Sequence, residues 1–230
     1  MKRISEILII ASTKFEVNQI IKQFSFLLKK GLNTSSYNYK NLTIDVLVSG
    51  IGIPSTTYLL TKAISKKKYD LVLNVGICGS FKKNIEVGKV VNVIEDEFAD
   101  LGITDVNNNF VSLFEKGFIY ENEFPFTEKR LISKFNDYEI GLQKVAGITV
   151  NATSGNNKQI KMRKELFNVD IETMEGAAVA FVCLSENINH IQIRAVSNPI
   201  EPRNKKNWDI PLAITNLSNS VINFLNTISM

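Results

Sequence analysis

The sequence predicts an α/β protein: one domain with a mixed, mostly parallel central sheet flanked by helices on both faces. Three observations predict it. Short β-branched apolar runs recur along the chain, as expected of strands buried on both faces. Segments with helical periodicity lie between them, so strand and helix alternate. Gly, Ser and Asn gather where strands give way to helices, the junctions at which α/β sheets bind ligands.

Ile7 to Ala11 is the first such run. Ser12 and Thr13 can cap a following helix, across which Phe15, Ile20, Ile21, Phe24, Leu27 and Leu28 recur at helical spacing. Leu42 to Val48 alternates toward Ser49-Gly50-Ile51-Gly52, and a helix is expected from Pro54 to Lys68, where proline suits the first turn. Asp70 to Val75 reads as a buried strand ending in a turn, Gly76-Ile77-Cys78-Gly79-Ser80. Its glycines would tolerate positive φ and close backbone approach to a ligand. Gly88 to Val93 is strand-like and leads to Glu95-Asp96-Glu97.

From about Ala99 to Lys129 no period is evident, and Asn107-Asn108-Asn109 and Pro125 mark loops. A long irregular excursion in a compact domain is usually functional or interfacial. Val145 to Val150 returns to strand, Asn156 to Phe167 to helix, and Asn168 to Ile171 to a strand end. Gly176 to Cys183, apolar and rich in small residues, is a buried helix; Ile191 to Asn198 is a last strand. Ile210, Ile214, Leu217, Val221, Phe224, Leu225 and Ile228 line one face of a closing helix, with Pro211 tolerated in its first turn.

With 230 residues, 44% hydrophobic and 22% charged, the chain can bury a sizeable core, and neither repeat nor linker divides it. Residues 1–230 are therefore expected to form a single domain. The formal charge of +4 is mild, and the lysine clusters (66–68, 82–83, 205–206) lack interleaved aromatics, so no nucleic acid is expected as a partner. After Lys2 and Arg3 the apolar run is too short for a signal peptide, and no stretch has the length of a membrane span. A cytoplasmic protein with no membrane partner is the expectation. Cys78 and Cys183 fit reduced thiols, and His190, the only histidine, is expected at the surface in a helix-to-strand turn. That inventory makes a transition-metal site improbable, and no cofactor is expected.

The junction Glu172-Thr173-Met174-Glu175 places two carboxylates three residues apart ahead of an apolar helix. Such a Glu either complements the helix dipole or meets a ligand. Ser12 to Glu16, Gly76 to Ser80 and Ser197-Asn198 are junctions of the same kind.

Together these stretches resemble the nucleoside phosphorylase and nucleosidase superfamily. Asn74 to Ser80 is similar to its base-and-ribose loop, Glu172 to Ala178 to its ribose-binding motif, and Ile193 to Asn198 to its purine-recognition strand. The ending, through Glu201-Pro202-Arg203-Asn204 and Asn207 to Ile214, resembles futalosine hydrolases. The resemblance implies a nucleoside phosphorylase-like fold and cleavage of an N-glycosidic bond. Futalosine plus water would give dehypoxanthinyl futalosine and hypoxanthine, a step toward menaquinone.

It also implies roles. Glu16 would orient and deprotonate water, although its loop, Ser12-Thr13-Lys14-Phe15, is less acidic than the family's; a first-turn Glu also suits the helix dipole. Glu175 would accept hydrogen bonds from the ribose hydroxyls and favour an oxocarbenium-like sugar. Met174 would pack on the ribose or in the core. Gly50, Ile51, Gly79, Thr173 and Ser197 complete the implied substrate-binding set. Asn198 stands where adenine-releasing relatives carry Asp; its amide can donate to a purine but transfers no proton. A 6-oxopurine offers acceptors at N7 and the 6-oxygen, so hypoxanthine is favoured, yet Asn also pairs with adenine and can simply open the turn before Pro199.

A carboxylate at position 16, where phosphorylases keep Gly- and Arg-bearing elements, favours water over phosphate. Arg203 would meet the carboxylate on the 5′ arm of futalosine, with Trp208 or phenylalanines of residues 99–129 against its ring. The expected partners are a small-molecule purine nucleoside and further copies of the chain, as a homodimer or dimer of dimers. Alternatives are a methylthioadenosine/S-adenosylhomocysteine nucleosidase, which releases adenine, a phosphate-dependent phosphorylase, and a non-catalytic nucleoside-binding protein.

Overall fold

The computed structural model describes residues 4–31, 33–107, 109–135 and 140–229. Lys2, Arg3 and Asn108 lie outside the described residues. The chain runs β1 (Glu6–Ala11), α1 (Lys14–Ile21), β2 (Ser25–Lys29), β3 (Thr34–Tyr39), β4 (Leu42–Val48), α2 (Ile53–Ile64) and β5 (Leu71–Ser80). β6 (Val90–Phe98) leads into the excursion, which holds β7 (Gly102–Thr104), β8 (Phe110–Ser112) and β9 (Leu131–Ile132). Then come β10 (Gln143–Thr149), α3 (Asn157–Leu166), β11 (Ile171–Thr173), α4 (Gly176–Ser185), β12 (His190–Pro199) and α5 (Ile210–Ile228).

Ten of the described strands form one mixed sheet in the order β11-β10-β6-β12-β5-β1-β4-β3-β2, with β9 paired to β6. β1 is parallel to β4 and β5, β12 to β5, and β10 to β6 and β11. β12 runs antiparallel to β6, and β11 closes antiparallel onto β5, so five strands return on themselves as a ring. Both faces are covered, as the apolar runs require. Ile7 and Ile9 pack with Val17 and Ile20 of α1 and Leu217, Val221 and Leu225 of α5. Leu8 and Ile10, pointing the other way, pack with Leu60 of α2 and Val179, Val182 and Cys183 of α4.

Five expectations are corrected. The first helix stops at Ile21, and Ser25 to Lys29 pairs instead with β3 as the sheet edge, leaving Leu27 and Leu28 exposed. Cross-strand backbone bonds outweigh the helical spacing there. α2 ends at Ile64, short of Lys68. Gly76 to Ser80 is not a turn but the second half of β5, paired residue by residue with β12, and neither glycine has positive φ. β6 continues through Glu95-Asp96-Glu97: strand alternation turns Asp96 inward, while Glu95 and Glu97 accept from Arg130 at 2.8 and 3.1 Å. His190 is buried at the start of β12, and burial pushes its imidazole down to about 4.

Within the excursion β7 and β8 form a small hairpin, and Phe114, Ile119 and Phe126 pack onto Phe181 and Leu184 of α4. Cys78 and Cys183 are free and buried, and burial pushes the Cys78 thiol up to about 12. Among the described residues no helix is long and apolar enough to cross a membrane.

Candidate active site

The carboxyl ends of β1, β4 and β11 deliver Glu16, Gly52 and Glu175 to one place, beside Gly76 of β5 and Arg194 of β12. Glu16 lies in the first turn of α1 and is buried. Its Oε2 accepts from Ser12 Oγ at 2.6 Å, the Thr13 N–H at 2.9 Å and Thr13 Oγ1 at 2.8 Å. That is the glutamate half of a capping box. Its Oε1 does something capping does not require: it reaches β5 and accepts the Ile77 N–H at 3.1 Å.

Glu175 is the N-cap residue of α4. Its Oε1 accepts the Gly52 N–H at 3.0 Å, an amide presented by a backbone with φ of 93°, which only glycine adopts readily. Its Oε2 lies 3.9 Å from Arg194 Nη1. Burial pushes the Glu175 carboxyl up; the Arg194 charge and the Gly52 bond pull it down, and the Glu16 charge pushes it up again, leaving it above the usual carboxylate range.

Arg194 is almost fully buried. Its Nη2 donates to Asn74 Oδ1 at 3.0 Å, whereas its Nε and Asn74 Nδ2 have no hydrogen-bond partner in the protein. Gly76 explains how these groups fit. A Cβ added there would lie 2.7 Å from Glu16 Oε1 and closer still to Arg194 Nη1. The absence of a side chain, rather than backbone freedom, is what this glycine contributes. Two carboxylates and one guanidinium thus converge with a net negative charge, out of reach of bulk water, an arrangement suited to holding water against a developing cation.

Asn198, near the end of β12, pairs with Gly79, three residues beyond Gly76 on β5, after a register shift between Val196 and Asn198. Strand rise puts it roughly 10 Å from the Gly76 group, a span that a purine nucleoside bridges. Ser197 Oγ donates to Cys78 O at 3.1 Å or to Asn198 Oδ1 at 2.8 Å, and Asn198 Nδ2 donates to Pro199 O at 3.0 Å. One of its two N–H donors is thus engaged locally, and the second is free for a ligand. Asn198, Gly79, Ser154, Glu172, Arg203 and Trp208 line a recess of about 70 Å³. Arg203 stacks its guanidinium 5.6 Å from the centre of the Trp208 ring. Both thus stand at the Asn198 end, away from Glu175.

The remaining candidates divide. Gly50 and Gly52 turn the chain between β4 and α2 with φ of 79° and 93°, and Ile51 between them is exposed. Met174 is half-buried ahead of Glu175. The Thr173 hydroxyl faces inward, 3.0 Å from Thr149 Oγ1, and accepts the Gly176 N–H at 3.1 Å, so it supports α4. Glu172 does not join Glu175: it accepts from Arg163 Nη1 at 2.7 Å and Ser154 Oγ at 2.6 Å, a buried ion pair beneath the recess. Lys14 is exposed. A larger cavity of about 670 Å³ shares none of these residues; Lys30 and Lys67 on its wall pair with the buried Asp45. Among the described residues no group of three His, Cys, Asp or Glu side chains is placed to hold a metal ion.

Nothing in the local pattern marks Arg194 and Asn74 as members of this group. The available signal was a polar residue inside each of two apolar runs, since a buried charge or amide needs partners nearby.

Comparison with known proteins shows the family and the fold. The chain is 27% identical over 200 residues to a futalosine hydrolase of Thermus thermophilus, covering 86% of this chain and 85% of that one. It is 25% identical to a 5′-methylthioadenosine/S-adenosylhomocysteine nucleosidase of Glaesserella parasuis, covering 81% and 82%. A futalosine hydrolase of Streptomyces coelicolor is 30% identical, over 77% and 76%. The solved futalosine hydrolase of Helicobacter pylori superposes with a TM-score of 0.79 at 17% identity, covering 97% of this chain and 98% of that one, which shows a common fold. The family model described as Phosphorylase superfamily matches residues 6–228, and the chain belongs to that superfamily.

Proposed function

We propose that residues 1–230 act as one nucleosidase domain that hydrolyses the N-glycosidic bond of futalosine and releases hypoxanthine. The observation that carries this reading is the convergence of Glu16, Glu175 and Arg194 around the bare face of Gly76, with the Asn198 amide one nucleoside length away. Breaking the bond leaves positive charge on the sugar and negative charge on the purine. Glu16 deprotonates a water held between it and Arg194, Glu175 receives the ribose hydroxyls and offsets the sugar's charge, and Asn198 donates to the departing base. Two carboxylates against one guanidinium repel phosphate, which favours water as the nucleophile. Arg203 and Trp208 cover the base in this arrangement. A role for Arg203 toward the carboxylate of the 5′ arm competes with this one, and the loss or retention of futalosine affinity in Arg203→Ala decides between them.

Similarity to methylthioadenosine/S-adenosylhomocysteine nucleosidases of nearly equal strength supports a second reading, adenine release. Incubation with futalosine and with methylthioadenosine, each with and without phosphate, separates them by the base released. Hypoxanthine from futalosine without phosphate supports the first reading; adenine alone supports the second; dependence on phosphate refutes hydrolysis.

The reading extends to a homodimer at work in the cytoplasm on the route to menaquinone. Tyr58, Phe118, Tyr120 and Phe124 are exposed on α2 and the excursion, next to a cavity lined by Phe98, Leu101 and Phe181. Such an apolar surface fits a second copy of the chain. Sedimentation equilibrium tests it, and a monomer at micromolar concentration refutes it.

A further inference from the structure

Asp96 is a buried acid that the proposed chemistry does not use, yet it sits beneath the element that carries Glu175. The first two amides of α4 are bound by threonines: the Gly176 N–H donates to Thr173 Oγ1 at 3.1 Å and the Ala177 N–H to Thr149 Oγ1 at 2.7 Å. Thr149 Oγ1 donates to Asp96 Oδ1 at 2.9 Å, and Gln192 Nε2 donates to Asp96 Oδ2 at 3.2 Å. A hydroxyl has one proton. Because Thr149 gives its proton to the carboxylate, the 3.0 Å contact between the two threonines must be a donation from Thr173.

The whole chain is therefore polarised one way: Gly176 N–H to Thr173, Thr173 to Thr149, Thr149 to Asp96. Its last acceptor is Asp96, which as a carboxylate takes both the Thr149 and the Gln192 donors without adding a donor of its own. Gly176 completes the fit, since any Cβ there would run into Asp96 Oδ2 and Gln192 Nε2.

We propose that Asp96 is a positioning residue of this site: ionised, it aligns Thr149 and Thr173, fixes the first turn of α4, and so sets the Glu175 carboxylate against Arg194. The proposal rests on the nucleosidase reading for its kinetic consequence, but not for its structural one. Arg194, from β12, is the charged side chain that faces Asp96. β10 and β11 present Thr149 and Thr173, α4 presents Gly176 behind its Glu175 cap, and β6's own Glu95 and Glu97 are paired with Arg130.

Burial pushes Asp96 up to about 7, against the Thr149 and Gln192 bonds and the Arg194 charge, which pull it down. Below that pH Asp96 is a weaker acceptor for Thr149, and its new O–H needs an acceptor among groups that had donated to it, which loosens the directed chain. Activity then rises with pH through neutrality as the carboxylate forms.

The test is the pH profile of kcat/KM on the nucleoside that the wild type cleaves, for wild type, Asp96→Asn and Thr149→Val. The amide shifts of Gly176 and Ala177 are followed by NMR over the same range. The wild type should show a step of about tenfold near neutral pH, the size expected for a buried charge at a helix N-terminus. Asp96→Asn should lose that step in both readouts, and Thr149→Val, which removes the hydroxyl linking Asp96 to α4, should lose it as well. A step unchanged in Asp96→Asn, or kept in Thr149→Val should the first variant not fold, overturns the proposal. If the wild type cleaves no nucleoside, the function reading fails by itself, and the two amides still decide whether α4 follows Asp96.

Discussion

Gly76→Ala isolates the catalytic arrangement from the fold. The backbone at Gly76 is ordinary extended strand, so alanine brings no conformational strain there. What it brings is one methyl group. Ordinary contact begins at 3.4 Å, so Glu16 Oε1, at 2.7 Å, must retreat by about 0.7 Å, and Arg194 Nη1, closer again, by about 1 Å. Both side chains are buried and neither can swing into solvent.

Displacing a positioned group by 1 Å costs about 100-fold in rate, so kcat/KM for the released purine should fall by about that factor. Crowding a packed interior costs about 1–3 kcal/mol, and each kcal/mol lowers Tm by about 2–4 °C in a chain of this size. The variant should therefore fold, melt a few degrees early, and be nearly inactive. Gly31→Ala is the control: no atom lies within 4 Å of the added carbon, and both activity and Tm should hold. A folded Gly76→Ala protein within threefold of wild-type kcat/KM would show that Glu16 and Arg194 do not act together over this glycine.

Glu16→Gln, which cannot accept a proton, should lose about 10²–10⁴ in kcat while ligand affinity measured by calorimetry changes little; retained turnover removes Glu16 from the mechanism. Arg194→Gln takes away a charge that holds the Glu175 carboxyl down, so the acid limb of kcat/KM, where protonation of Glu175 abolishes its negative charge, should move to higher pH; a limb that stays or falls contradicts the pairing. Asn198→Asp supplies a proton donor at the base, and adenine release from methylthioadenosine should rise at least about tenfold relative to hypoxanthine release, read by chromatography of the free bases. Glu172→Ala strands the buried Arg163 charge and should cost about 3–5 kcal/mol in urea unfolding; a loss under 1 kcal/mol would mean that the pair is not held as described.

The sequence alone determined the layered α/β class, the order of most strands and helices, and three of the strand-to-helix junctions where chemistry collects. Those features are written in local signals: runs such as Ile7 to Ala11, the Thr13–Glu16 cap, and the Pro54 and Pro211 helix starts. Glu16, Glu175 and Asn198 could be named because each stands at such a junction within a recognisable stretch. Tertiary structure decided the rest. Ser25 to Lys29 became an edge strand because a neighbour offered backbone partners, and Gly76 to Ser80 stayed extended because β12 pairs along it. Arg194 joined the acids, Glu172 went to Arg163 instead, and Asp96 came to lie under α4, because β11 closes on β5 and brings residues far apart in the chain into one ring. A local pattern records which face a side chain takes, but only strand order and register record which charges it meets.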